Sequence, residues 1–125
     1  MKLAAALILA ATPALAIDVP SGQPVELQEV LVEQMDDETW LRFRFIAPRI
    51  ARENGSVDYL QAEPDMTHLC TTLAIPYAAE YGLDGDVIVV SLADRAVEFG
   101  AANPDATQFF EAYRPRDGVC IWEGL

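Results

Sequence analysis

Residues 25–47 read VELQEVLVEQMDDETWLRFRFIA, and their pattern decides the fold. Val25 to Gln34 and Trp40 to Ala47 are rich in β-branched and aromatic residues, and Asp36-Asp37-Glu38 between them is turn chemistry. The stretch therefore reads as two strands of a hairpin. Setting Gln34 opposite Thr39 brings Val32 to Leu41 and Val30 to Phe43, on one apolar face shared with Phe45. The other face pairs Leu31 with Arg42 and Glu29 with Arg44, and it also carries Trp40. One side is core and the other mostly solvated, as in an antiparallel sheet covered on one face. A slip of one residue would drive both arginines into the core, so the register is firm.

Downstream, Pro48 stops the second strand and Asn54-Gly55 marks a tight turn, because both residues tolerate positive φ. A short strand is expected over Ser56 to Leu60. The spacing of Met66, Leu69, Cys70, Leu73, Tyr77 and Tyr81 predicts a helix over Pro64 to Tyr81, with Pro64 in its first turn and Gly82 as its stop. Pro76 should kink or split that helix. Val87-Ile88-Val89-Val90 is the pattern of a central strand, short strands are expected at Ala96 to Phe99 and Val119 to Trp122, and Thr107 to Tyr113 fits a strand or a short helix capped by Asp105, the strand being preferred. With no regular βαβ repeat, the class is α+β: a mostly antiparallel sheet of about five to six strands packed against one main helix.

The first 16 residues have the form of a secretory signal peptide. Lys2 gives a basic start, Leu3 to Ala11 an apolar run, and Ala14-Leu15-Ala16 a small-residue exit before Ile17. That run is shorter than the roughly 20 residues a membrane span needs, so stable membrane insertion is not expected. Residues 17–125 are then one exported domain. Without Lys2 that domain holds seven arginines against 20 carboxylates, a balance of −13. So acidic a surface disfavours nucleic acid, which demands cations. It favours solubility and tolerates a neutral or basic partner. Cys70 and Cys120, two cysteines in an exported chain, are expected to form one structural disulfide. With about 50 residues in its loop, the bond is worth about 4 kcal/mol in the chain-entropy model.

Catalytic machinery is hard to assemble from these residues. His68 is the single histidine, and its helical phase places it on an exposed face. Asp65, three residues earlier, has the spacing to orient its imidazole. No H-E-x-x-H or G-x-S-x-G motif is present, and neither a metal site nor a cofactor is expected. Asp84, Asp86, Asp94 and Glu98 form a loose carboxylate group that could take calcium weakly. Aromatic residues crowd the last third of the chain, at Phe99, Phe109, Phe110, Tyr113 and Trp122, with Arg95, Arg114 and Arg116 among them. Aromatics with arginine are what interfaces concentrate at hot spots. Trp40, Arg42, Arg44, Arg95 and Arg114 are accordingly the candidate binding residues.

Five segments resemble a domain family of unknown function seen in secreted proteins of marine alphaproteobacteria. They are Asp65-Met66 with His68-Leu69-Cys70, Ile88 to Arg95, Val97 to Gly100, Thr107 to Tyr113, and Cys120 to Gly124. The resemblance implies a Gram-negative bacterium and a periplasmic address, and it carries over no catalytic residue. The expected function is a non-enzymatic periplasmic binding or accessory protein, whose partner would be a periplasmic or envelope protein. The alternative is a small periplasmic hydrolase or ion-binding enzyme that uses surface carboxylates and His68.

Overall fold

Two antiparallel strands open the architecture in the computed structural model, which describes residues 17–124; the leader 1–16 lies outside them. Strand β1 (Glu26–Met35) and strand β2 (Glu38–Ile46) form the expected hairpin. Gln34 faces Thr39, Val32 faces Leu41, Val30 faces Phe43, Leu31 faces Arg42 and Glu29 faces Arg44. The turn is made possible by Asp36 at φ 57°. Near the far end the register shifts between Leu27 and Glu29, and this bulge restores Leu27 to the apolar side, opposite Phe45.

The chain then crosses over the apolar face. A 3-10 turn (Pro48–Ile50) is followed by α1 (Tyr59–Leu69), a π-helical turn (Cys70–Ala74) and α2 (Ile75–Glu80). No strand forms at Ser56 to Leu60, and the helix starts five residues before Pro64. The cause is a capping box. Asp58 accepts from the Gln61 N–H at 2.9 Å, and the Gln61 side chain accepts from the Asp58 N–H at 3.0 Å. Pro64 therefore sits inside α1, on its exposed side, where the carbonyl left without a donor can reach water.

Pro76 does interrupt the helix, through the turn before it. The Ile75 N–H reaches back five residues to the Cys70 carbonyl. One extra residue in that turn rotates α2 about the helix axis relative to α1. Ala74 and Ala78 are buried beneath the helix, while Leu73 and Tyr77 are half-buried and Tyr81 is exposed, contrary to the uninterrupted stripe expected from spacing. Gly82, at φ 65°, ends α2. The Leu83 N–H bonds to Ala78 O at 2.8 Å and the Gly82 N–H to Ala79 O at 3.4 Å, a Schellman closure.

Strand β3 (Val87–Ala93) returns parallel to β2, with Leu41 beside Ile88 and Phe43 beside Val90. After it come antiparallel β4 (Gln108–Arg116) and β5 (Val119–Glu123), joined by Asp117-Gly118 with both residues at positive φ. The sheet has five strands in the order β1-β2-β3-β4-β5, mixed because of its one parallel pair. Its partner is the single 22-residue helical run from Tyr59 to Glu80. Ala96 to Phe99 is not a strand; it belongs to an irregular segment, residues 94–107, that joins β3 to β4. Entry into β3 needs Gly85, where a Cβ would lie 2.6 Å from the Leu41 side chain.

The core is one layer of side chains between sheet and helix. Leu41, Phe43 and Phe45, with Ile88, Val90, Leu92 and Tyr113, meet Ala62, Met66, Leu69 and Ala74. Cys70 and Cys120 are bonded, which ties the π-helical turn to the edge strand β5. Among the described residues no helix is long and apolar enough to cross a membrane. The Cys120→Ser variant should lose about 2–4 kcal/mol of unfolding free energy. Urea titration with and without reductant checks this, because the wild type should fall to the variant's level only when reduced.

Tyr113 is fully buried and its hydroxyl lies 3.2 Å from Thr67 Oγ1. Burial pushes its phenol up to about 12. The folded value exceeds the unfolded value of about 10, so this contribution to stability is complete below pH 10 and is lost between pH 10 and about 12. A spectrophotometric titration at alkaline pH should show one late phenol that disappears in Tyr113→Phe.

Candidate functional site

The sheet face turned away from the helix is built from the arginine side of the hairpin. Register places Glu33, Trp40, Val87, Arg114 and Ile121 in one row across the strands. The next row is Leu31, Arg42, Val89, Ala112 and Glu123, and a third is Glu29, Arg44, Ser91 and Phe110. Trp40 is half-buried and packs on Val87, Val89 and Ala112, forming a second small apolar cluster. Four of the five candidate residues, Trp40, Arg42, Arg44 and Arg114, therefore share this face. Arg95 does not; it lies at the start of the segment 94–107, paired with Asp94 at 3.0 Å.

Each of these arginines has an acidic partner. Arg42 pairs with Glu33 and Arg44 with Glu29. Arg114 bridges Glu38 at 2.7 Å and Glu123 at 3.0 Å. The Arg114 hydrogen bond holds the Glu38 carboxyl below the usual range, and the two glutamates raise the guanidinium. Hydrogen bonding from Arg95 likewise lowers the Asp94 carboxyl, against the effect of its burial.

Segment 94–107 folds back over one end of this face, and the arginines hold it there. Arg44 Nη2 donates to Val97 O at 2.8 Å and Gln28 Nε2 to the same oxygen at 3.2 Å. The Phe99 ring receives both Arg42 and Arg44, each with its guanidinium carbon 5.4 Å from the centroid. At the segment's far end Asp94 accepts the Thr107 N–H at 3.0 Å. Arg52 donates to Pro104 O at 2.7 Å and Ala106 O at 3.3 Å. Arg52 and Gln28 were not among the sequence candidates, since nothing local marks a side chain whose partner is a distant carbonyl.

Between this segment and the sheet lies a cleft of about 370 Å³. Arg42, Arg44, Val89, Ser91 and Ala93 line its sheet side, and Glu98 to Ala102 its outer wall. Phe99 and Phe110 flank it, 45% and 67% exposed. Ser91 and Gln108 bring a hydroxyl and an amide to the lining. The size suits a small ligand or one or two side chains of a peptide.

A family model described as a family of unknown function (DUF6497) matches residues 2–125. The chain belongs to that family. Neither the curated proteins nor the solved structures contain a significant match.

In this DUF6497 chain the expected Asp65–His68 pairing does not form. Asp65 is fully buried and its carboxyl faces residues 21–23. Oδ1 accepts the Ser21 N–H at 2.8 Å; Oδ2 accepts Ser21 Oγ at 2.6 Å and Gln23 Nε2 at 2.8 Å. The same i, i+3 spacing that suggested an oriented imidazole instead places Asp65 on the buried side of α1 and His68 half-buried beside it. The carboxylate group Asp84, Asp86, Asp94 and Glu98 is also dispersed. Asp86 accepts the Thr39 N–H at 2.8 Å before β3, and Asp94 comes after β3, roughly 25 Å away along an extended strand. Among the described residues no cluster of three histidine, cysteine or acidic side chains has a metal-binding arrangement.

Asp65→Ala should cost about 2–3 kcal/mol, because Gln23 and the Ser21 N–H lose their buried acceptor. His68→Ala should cost only about 0.5–1 kcal/mol. Chemical denaturation of both variants checks the contrast, and limited proteolysis should cut Asp65→Ala first near residues 17–24.

Proposed function

We propose that this is a non-enzymatic binding or accessory protein of a Gram-negative periplasm, acting through the sheet face that carries Trp40, Arg42 and Arg44. The export pattern at 1–16 and the disulfide support the address, since such bonds persist in oxidising compartments. The resemblance to secreted alphaproteobacterial domains agrees with it.

One observation carries the binding reading. Segment 94–107 is pinned to the sheet at Val97 and Asp94, yet between those pins and β4 it leaves a cleft with two phenylalanines open to solvent. Ion pairing of Arg42 with Glu33 and of Arg44 with Glu29 balances the charges on the cleft's sheet side. The cleft therefore offers aromatic surface, a hydroxyl and an amide, which suit recognition. Aromatics beside arginine are the residue types that dominate binding energy at interfaces.

In native periplasm treated with crosslinker, the tagged protein should recover a stoichiometric partner. Phe110→Ala and Arg42→Gln should each lose it, and Phe110→Ala should keep the wild-type melting curve within a few degrees. Recovery of the same partner at wild-type yield from both variants would remove this face from consideration. Mass analysis of the periplasmic form should give Ile17 as its first residue.

A further inference from the structure

The opposite side of the molecule, where β4 and β5 meet the start of α1, carries a second arrangement. Glu111 of β4 lies between two aromatic donors. Trp122 Nε1 donates to its Oε1 at 2.7 Å, and the Tyr59 hydroxyl donates to its Oε2. Tyr59 in turn meets Phe109 edge-on, with ring centroids 5.5 Å apart. This separates Glu111 from Glu29, Glu33, Glu38 and Glu123, each of which has an arginine. Among the described residues Glu111 has no cationic partner at all.

The two aromatic donors hold the carboxyl in place without neutralising it. A carboxylate offers about four lone-pair sites, so two remain for a further donor. Glu63, one helical turn after Tyr59, adds a second carboxylate on the same face of α1. The aromatic donors are themselves open to solvent: Trp122 is 59% exposed and Tyr59 37% exposed. A cation resting here would gain a charge-assisted hydrogen bond and the face of an indole.

We infer that Tyr59, Glu111 and Trp122 form an anchor for an arginine or lysine side chain of a basic partner protein. Charge complementarity selects the occupant: the chain carries 20 acidic residues against eight basic ones, and this acid is oriented yet unpaired. A protein segment fits better than a free small cation because the exposed aromatic side chains extend the contact beyond the charged spot. This surface lies on the helix side of the sheet, so it is separate from the cleft of the proposed function and stands or falls independently.

The test uses the two indole N–H signals in a ¹H–¹⁵N spectrum, with Trp40 on the opposite face as internal reference. The probes are an acetylated leucine–arginine–leucine–arginine–leucine amide peptide and its counterpart with glutamine for arginine. The arginine peptide should move the Trp122 signal and leave Trp40 in place. The glutamine peptide, and Glu111→Gln with the arginine peptide, should each bind about tenfold more weakly or less, the loss of one charge-assisted bond. Equal binding of the two peptides, unchanged binding by Glu111→Gln, matching shifts at Trp40, or no shift up to millimolar peptide would each overturn the anchor. Choline binding more tightly than the arginine peptide would overturn the choice of a protein partner.

Discussion

Alternation along β2 is the constraint on which the rest of the molecule depends. Leu41, Phe43 and Phe45 are completely or almost completely buried against the helix, and Trp40, Arg42 and Arg44 necessarily point the other way. A β-strand cannot divide these sets differently, because its side chains alternate with period two. The apolar set demands a cover, which the helical crossover from Tyr59 to Glu80 supplies. The cover has a topological consequence. A chain that leaves β2, crosses one face and re-enters beside β2 arrives parallel to it, so β3 is central and buried on both sides.

The arginine side has consequences of its own. Arg44 is buried, and a buried guanidinium without partners would be costly. Glu29, the Val97 carbonyl and the Phe99 ring meet that need. Segment 94–107 is thus drawn down onto the sheet by the same residues that the register keeps out of the core. Charge pairs nearer to solvent, such as Arg114 with Glu38 and Glu123, contribute less, since exposed pairs are worth only about 0–1 kcal/mol. Their effect is to fix side-chain positions at the far end of the face. The cleft is what remains where the segment, held at Val97 and Asp94, does not reach the sheet between Phe99 and Phe110.

Other features were legible in part. The capping box was present in the sequence as Asp58-Tyr59-Leu60-Gln61, but Tyr59 and Leu60 after Val57 also fit a strand, and Pro64 beyond them suggested a first turn. Capping geometry outweighed both, because a proline on the exposed side of a helix removes one hydrogen bond that water can replace. Pro76 marked an interruption correctly. Its form, one inserted residue that moves Ala74 and Ala78 beneath the helix, comes from how the two helical pieces pack and not from the proline alone.

Local pattern by itself determined the hairpin and its register, the core strand at Val87 to Val90, the Gly82 stop and the class of the fold, because each depends on residues a few positions apart. The cysteine pair was also readable, since two cysteines allow only one intramolecular bond. Tertiary structure alone decided where the polar side chains went. Arg44 reaches a carbonyl 53 residues away, Asp65 takes Ser21 from 44 residues away, and Glu111 meets Tyr59 across 52. No periodicity encodes such partners. They are chosen when the sheet and helix bring distant segments together and a polar group pairs with whatever donor or acceptor then stands within reach.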